Sequence, residues 1–411
     1  MVAAVAAEQS NLKSATHDKT KKAALLDKVF KMPKRQSEVN TSADTDKAPV
    51  EVQPEPKADP VPEPDKPVVA QKEKISEPTL APQLKATETI TGTYGTSPYT
   101  LDPDTGILEF GAGTLAAGEI MYAAEFAGYV SMIKEIKFLS GAKLPSNSSQ
   151  MFCYLSNLEK FDSANLDTSD VTTMLRMFYG SQAPTLDLSS FDTSAVTGMS
   201  DMFSYSAATT LDLSSFDTSA VTDMSDMFSG SKATTLDLSS FDTSAVTDMS
   251  HMFYESAATT LDVSSFDTSA VTNMRYMFSG SKATTLDLSS FDTSAVTDMS
   301  DMFNYSNATT IDISSFDTSI VTDISYMFYQ SQVLTLDLSH FTFNSECDVD
   351  NMLYMYNRSL WKLTLGANQT FDGAANILDP IVGSTIPGAG SDYVSDNRWQ
   401  IVGEGTDHAP T

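Results

Sequence analysis

The chain is poor in the residues that make catalytic centres or covalent scaffolds. It carries two cysteines and four histidines in 411 residues. His17, His251, His340 and His408 lie far apart, and none is spaced from an acid as in a zinc protease. No GxSxG, P-loop or CxxC occurs, and Gly111-Ala112-Gly113 followed by Gly118 misses the dinucleotide spacing. Asp102-Pro103-Asp104-Thr105-Gly106 fails as a calcium loop, because the glycine comes one place early and no glutamate follows at the twelfth position. No apolar run approaches the roughly 18 residues of a membrane span. Positive charge is also scarce. Residues 186–335 hold only Lys232, Arg275 and Lys282 against 20 acidic residues, within a chain of net charge −29. That balance excludes nucleic acid and anionic lipid as partners along this stretch. No catalytic residue is assigned, and no enzyme activity is expected.

What the chain has in abundance is a 25-residue unit. LDLSSFDTSAVTDMSDMFSGSKATT starts at Leu211 and recurs, with small changes, from Leu186, Leu236, Leu261, Leu286 and Ile311. A fixed period of this length predicts a solenoid in which each unit stacks on its neighbours. Leu186 and Leu188 point to one face of a short strand, and Thr185, Asp187 and Ser189 to the other. With Ala183 three residues earlier, the frame is the LxxLxL of leucine-rich repeats, and Phe191 takes the slot usually held by Asn or Cys. Val196, Met199, Met202 and Phe203 follow at gaps of three, three and one. That spacing predicts a short helical or 3₁₀ return arm with one buried stripe, capped by Thr197 and ended by residues such as Gly230 and Gly280. Stepping by 25 reaches Phe161 and Ile136 in one direction and Leu336 in the other. Leu363 follows after 27, making about ten rungs.

The expected fold is therefore α/β: a right-handed leucine-rich-repeat solenoid over 133–365, with a parallel sheet of about ten strands. Residues 88–132 read as a small N-terminal β cap, strand–turn–strand around Asp102–Gly106. Residues 366–411 read as a C-terminal cap and tail, with Trp399 and Ile401-Val402 in a strand covering the last rung. Trp361-Lys362-Leu363 spells a pair of letters used by some wall-binding domains, but it falls on that rung. Residues 1–87 are Lys-rich, then Pro-rich, with nine prolines from Pro49 to Pro82. That composition predicts a disordered, extended spacer. Val5-Ala6-Ala7 before Glu8 has the look of a signal-peptidase site, but a frayed alanine-rich start fits as well. Cys153 and Cys347 lie nearly eight rungs apart, roughly 37 Å at about 4.8 Å per rung. A disulfide needs Cα atoms within about 7 Å, so both are expected as free thiols, Cys153 in the Phe203-type slot.

Two carboxylate files run along the array. Asp162, Asp187, Asp212, Asp237, Asp262, Asp287, Asp312 and Asp337 sit mid-strand, and Asp167, Asp192, Asp217, Asp242, Asp267, Asp292 and Asp317 just after it. The second file suits Asx-turns. The first is either a solvated strand face or a cation ladder, calcium being the one cofactor to consider. Mutual repulsion along it is expected to raise those carboxyl pKa values. Variation concentrates at 204–207 and its equivalents: SYSA, SGSK, YESA, SGSK, NYSN, YQSQ. Copies partly alternate, as after duplication in pairs. Tyr205, Tyr254, Tyr276, Tyr305, Tyr326 and Tyr329 are candidate partner contacts, or products of surface drift.

The units F-D-T-S-x-V-T-x-M-x-x-M-F at Phe191–Phe203 and Phe241–Phe253 resemble the BspA-like leucine-rich-repeat surface proteins of Gram-positive, lactic-acid bacteria. YTLDPDTGILEFGAGTL, LTLGANQTF and DNRWQIVGEGT look like the segments that flank the repeats there. The resemblance spans about 88–411. It implies a secreted or cell-surface, non-enzymatic scaffold for adhesion, binding extracellular protein or glycan such as mucin or matrix. A structural wall or matrix spacer without a specific ligand is the alternative. Such chains often run on into mucin-binding repeats and a wall anchor, and this sequence shows neither, which leaves wall attachment open. A monomer is expected.

Overall fold

The computed structural model describes residues 3–6, 88–343, 346–356, 359–366 and 399–401. All belong to one compact unit of the chain.

The 25-residue phase builds a stack of about ten coils. Phe161 pairs with Leu186, Leu211 with Leu236, Leu286 with Ile311, and Leu336 with Leu363, all in parallel register. Leucine faces in and aspartate out, as period-two alternation requires. The expected core holds through the central coils: Leu186, Leu188, Phe191, Val196, Met199, Met202 and Phe203 are buried, and so are their equivalents from Leu211 to Phe328. The phenylalanines form a continuous pile. Phe178, Phe203, Phe228, Phe253, Phe278, Phe303 and Phe328 stack with centroids 5.3–5.9 Å apart. Such near-parallel, offset rings add to the burial of large side chains.

The return arm is not helical. In the arm from Met199 the amides of Asp201, Phe203 and Tyr205 donate to Ser225, Met227 and Ser229 of the next coil, at 2.9, 3.0 and 2.7 Å. The amides between them, of Met202, Ser204 and Ser206, donate back three residues to Met199, Asp201 and Phe203. An α-helix would use every amide internally. Here alternate amides tie coil to coil, and Asp201 and Tyr205 have φ of 57° and 54°, which no right-handed helix accommodates. The arm is a chain of turns. Thr197 does not cap it; its hydroxyl donates to the Thr172 carbonyl at 3.3 Å. Among the described residues the only helical pieces are three 3₁₀ turns, Ile120–Tyr122, Ala124–Phe126 and Val130–Met132, ahead of the repeats.

Two further features tie the coils. A column of single parallel bridges runs Asn147, Thr173, Gly198, Asp223, Asp248, Asn273, Asp298, Asp323, Asp348. A file of buried threonines forms clasps: the Thr218 hydroxyl donates to the Asp242 carbonyl at 2.8 Å and accepts from the Asp242 amide at 2.9 Å. Each clasp satisfies a backbone pair that faces no ladder partner.

The ends depart from expectation. Ile90–Tyr94, Ser97–Asp102 and Ile107–Phe110 form an antiparallel meander. Ile107–Phe110 then pairs in parallel with Glu135–Phe138, Leu108 opposite Ile136 and Phe110 opposite Phe138. Gly113–Thr114 pairs with Ala142–Lys143 in the same way. The stretch from Ile107 is thus an extra coil of the solenoid, without the 25-residue phase, and only the hairpin before it stands outside the repeat. At the other end Trp399–Ile401 does not lie on the last rung. Ala3–Ala6 runs parallel between it and Lys362–Leu365. The rest of the expected spacer and C-terminal cap lies outside the described residues. No described helix is long and apolar enough to cross a membrane.

Both cysteines are free thiols. Phe152, not Cys153, occupies the phenylalanine pile, stacked on Phe178 at 5.6 Å. The coil from Ile136 has the usual 25 residues, but its arm comes one residue early, with Asn147 bridged to Thr173, which shifts Cys153 to the next slot. It is buried all the same, and burial followed by Glu119 pushes its thiol up to about 12.

Candidate functional site

The strand-face carboxylates are locally occupied. Asp212 Oδ1 accepts the amide of Ser214 at 3.1 Å and its hydroxyl at 2.6 Å. Asp187, Asp237, Asp262 and Asp287 do the same with their own serines. Asx-turns therefore hold the first file as well as the second, where Asp192 binds Ser194. The expected rise in carboxyl pKa is wrong. Hydrogen bonds from the serine hydroxyl, then its amide, lower Asp212, Asp237, Asp262 and Asp287. Solvent screens the neighbouring carboxylates, which act on Asp237 and Asp287 only as lesser causes. Among the described residues no three His, Cys, Asp or Glu groups converge as metal ligands.

The return arm carries a different kind of surface. Two places in each coil hold a residue in the left-handed region. One file runs Arg176, Asp201, Asp226, His251, Tyr276, Asp301, Tyr326, Asn351; the other runs Tyr154, Gly180, Tyr205, Gly230, Glu255, Gly280, Tyr305, Gln330. Five tyrosines, Tyr154, Tyr205, Tyr276, Tyr305 and Tyr326, have φ of 52–56°. For a bulky side chain that conformation costs about 1–2 kcal/mol.

All six tyrosines expected as contacts lie on this arm, and the structure gathers them into clusters with residues that sequence reasoning passed over. Tyr154, Tyr179 and Tyr205 meet edge to face, with centroids 5.1 and 5.8 Å apart. His251 stacks on Tyr276 at 4.7 Å, and both rings meet the Tyr254 ring. Tyr329 joins Tyr305, Tyr326 and Tyr354 at 5.7, 5.3 and 5.5 Å. Tyr305 is 58% exposed. Arg176 lies 5.6 Å from the Tyr179 ring and binds Asp201 at 3.0 Å, while Arg275 lies 4.8 Å from Tyr276. These are cation–π contacts beside carboxylates.

Charge is partly buried along the first of these files. Burial lifts the Asp201 carboxyl in spite of Arg176. Burial, then Asp201, raises Asp226 to about 7. Burial, then Arg275, lowers His251 to about 4, although its Nδ1 is 4.0 Å from Asp226 Oδ2. The signal that would have found these groups is the break in the repeat at 176, 251 and 275–276, where most other units have Ser or Asp.

A parallel-stacked repeat solenoid with a varied, tyrosine-bearing arm on an invariant frame is the class of protein defined here. The family described as "Mycoplasma protein of unknown function, DUF285" matches residues 146–263 and 255–362, more than half of the chain, and the chain belongs to that family. No curated protein matches it. Among solved structures, a leucine-rich repeat protein from Eubacterium ventriosum matches 69% of this chain and 95% of that one, at 14% identity and a TM-score of 0.28.

Proposed function

We propose that this protein is a non-enzymatic scaffold, displayed outside the cell, whose return-arm face binds an extracellular protein or glycan. The observation that supports this reading is the set of five tyrosines at positive φ. Beside three of them, Tyr154, Tyr205 and Tyr305, glycine fills the equivalent place in a neighbouring coil at no steric cost, so tyrosine there is retained against its own conformational preference. Strain of this kind gathers where a surface has work to do. The resemblance of the repeat to BspA-like surface proteins points to the same class of role. Tyrosine suits it physically, presenting a rigid apolar ring and a polar tip.

The test is binding of the purified chain to immobilised mucin, fibronectin and wall polysaccharide, beside Tyr205→Gly and Tyr305→Gly variants. Glycine removes the ring and is at ease in the left-handed region. Binding to one ligand class that falls in both folded variants supports the proposal. Unchanged binding, or none to any class, favours a spacer without a ligand.

A further inference from the structure

The tyrosines of the arm follow a period of their own. Arg176–Ser181 reads RMFYGS, His251–Ser256 reads HMFYES and Tyr326–Ser331 reads YMFYQS. Tyr179, Tyr254 and Tyr329 thus recur every 75 residues, three coils apart. At about 4.8 Å per rung they stand about 14 Å from one another. The coils between them hold Ser204, Ser229, Ser279 and Asn304 at the same place, all buried. Duplication in pairs gives a two-coil period, not this one.

The three sites are built alike. The residue three places earlier has φ of 55–57° and packs a planar group near the tyrosine. The Arg176 guanidinium lies 5.6 Å from the Tyr179 ring, the His251 ring 5.8 Å from Tyr254 and the Tyr326 ring 5.3 Å from Tyr329. One ring from an adjoining coil widens each site: Tyr205, Tyr276 and Tyr305. The three tyrosines themselves are half-buried, so each ring is held in place and still reaches solvent.

A folded protein, whose surface side chains lie irregularly, gains nothing from equal spacing. A polymer with a repeat of its own does. Tyrosine offers an apolar ring to sugar C–H groups and a polar tip to sugar hydroxyls. The acidic repeats disfavour an anionic polymer. We infer that the arm face binds a neutral linear polysaccharide lengthwise, with Tyr179, Tyr254 and Tyr329 each stacking on a sugar of one chain that runs along the solenoid. This rests on the reading of the arm as a binding face and names the ligand class. Each contact alone is weak, and linking them raises avidity by about 10²–10⁴-fold.

Affinity electrophoresis of the full chain tests it, in gels holding a soluble cellulose ether, laminarin, galactomannan, amylose or dextran, with hyaluronan as the anionic control. The expected result is retardation by at least one neutral polymer and not by hyaluronan. Oligomers of the retarding polymer should bind about tenfold tighter or more once they span two sites. Tyr179→Ala, Tyr254→Ala and Tyr329→Ala should each lower affinity for the long polymer by about tenfold or more. A fourth variant, Asp226→Arg/Ser229→Tyr/His251→Asp/Tyr254→Ser, keeps three sites but moves the middle one by a coil. It should bind the long polymer as weakly as Tyr254→Ala does. Urea melts establish which variants are folded; if the moved-site variant is not, the length series and Tyr254→Ala decide.

Undiminished binding by the folded moved-site variant, or affinity that does not rise with oligomer length, overturns lengthwise binding. Retardation by hyaluronan alone overturns the neutral ligand. Binding to fibronectin that the tyrosine variants lose, with no polysaccharide retarding the chain, overturns the glycan and leaves the arm-face reading standing. Absence of binding to every polymer and to fibronectin overturns both.

Discussion

The Tyr205 ring lies over Gly230 of the next coil, so that a Cβ at position 230 would come within 2.5 Å of its Cδ1. The same fit recurs with Tyr154 over Gly180 and Glu255 over Gly280, where a Cβ would come within 3.0 Å. Alternation of SYSA-type and SGSK-type units in the sequence is the linear record of this packing. Gly230→Ala should destabilise the array by about 1–3 kcal/mol through φ strain and overpacking. Adding Tyr205→Ala should recover the packing part and leave the φ part. Denaturant melts of the two single variants and the double variant measure the coupling, and full additivity would show that the ring yields freely.

Tyr305 permits the opposite trade. Tyr305→Gly relieves left-handed strain but forfeits the ring contact with Tyr329, worth about 0.5–1.5 kcal/mol. The net change in stability should stay within about 1 kcal/mol, and thermal melts check it. A large loss would mean that the ring is structural and not a display residue.

The buried threonine clasps should matter far more than their polarity suggests. Thr218→Val keeps the shape but strands the amide and carbonyl of Asp242, at a cost of about 2–4 kcal/mol. Ser219→Ala, which removes an exposed hydroxyl bound to Asp217, should cost less than about 1 kcal/mol. Equal effects in urea titrations would count against the clasp.

The Asp226–His251 neighbours predict a specific pH profile. Asp226 keeps its proton to about 7 when folded, against an ordinary value of 3.8, so its contribution to stability falls as pH rises between those values. His251, lowered to about 4 from 6.5, acts in the other direction: stability falls as pH drops from 6.5 through 4. The two effects oppose each other over pH 4–6.5, and only the loss between 6.5 and 7 stands alone. His251→Gln should therefore melt progressively higher on acidification from pH 7 to pH 4.5, relative to wild type. Asp226→Asn should show the reverse. Parallel profiles for all three proteins would place both groups in solvent.

Thiol chemistry offers a simple check on the end coils. Burial pushes Cys153 up to about 12 and Cys347 up to about 11. Iodoacetamide at pH 8 should label the folded chain slowly and add two groups once it is unfolded under non-reducing conditions.

Much of the frame was legible because the strand and core positions recur in one phase: Leu186, Phe191, Met202 and Phe203 are apolar at fixed spacing, and burial follows. The arm was misread because a spacing of three serves a 3₁₀ helix and a chain of turns equally. What decides between them is the amide of the next coil, a long-range partner that no local pattern displays. Thr193 and its equivalents look like surface residues of an Asp-Thr-Ser turn, yet they are buried because their hydroxyls complete backbone pairs between coils. The coil at Ile107 escaped notice because it lacks the period. The tyrosines were visible as candidates, but their grouping, the two arginines among them and the Asp226–His251 pair depend on which coils lie side by side.

A helical arm would leave each coil self-contained on one side; a chain of turns whose alternate amides bond outward does not. Every side of a coil is stitched to the next, so an array pulled by its two ends has no soft face along which to shear. Units must peel away singly from an end. Each release frees about 25 residues and lengthens the chain by roughly 80 Å. Under tension the protein would lengthen in uniform steps, a series of nearly identical breaks that absorbs work while the remaining coils stay folded.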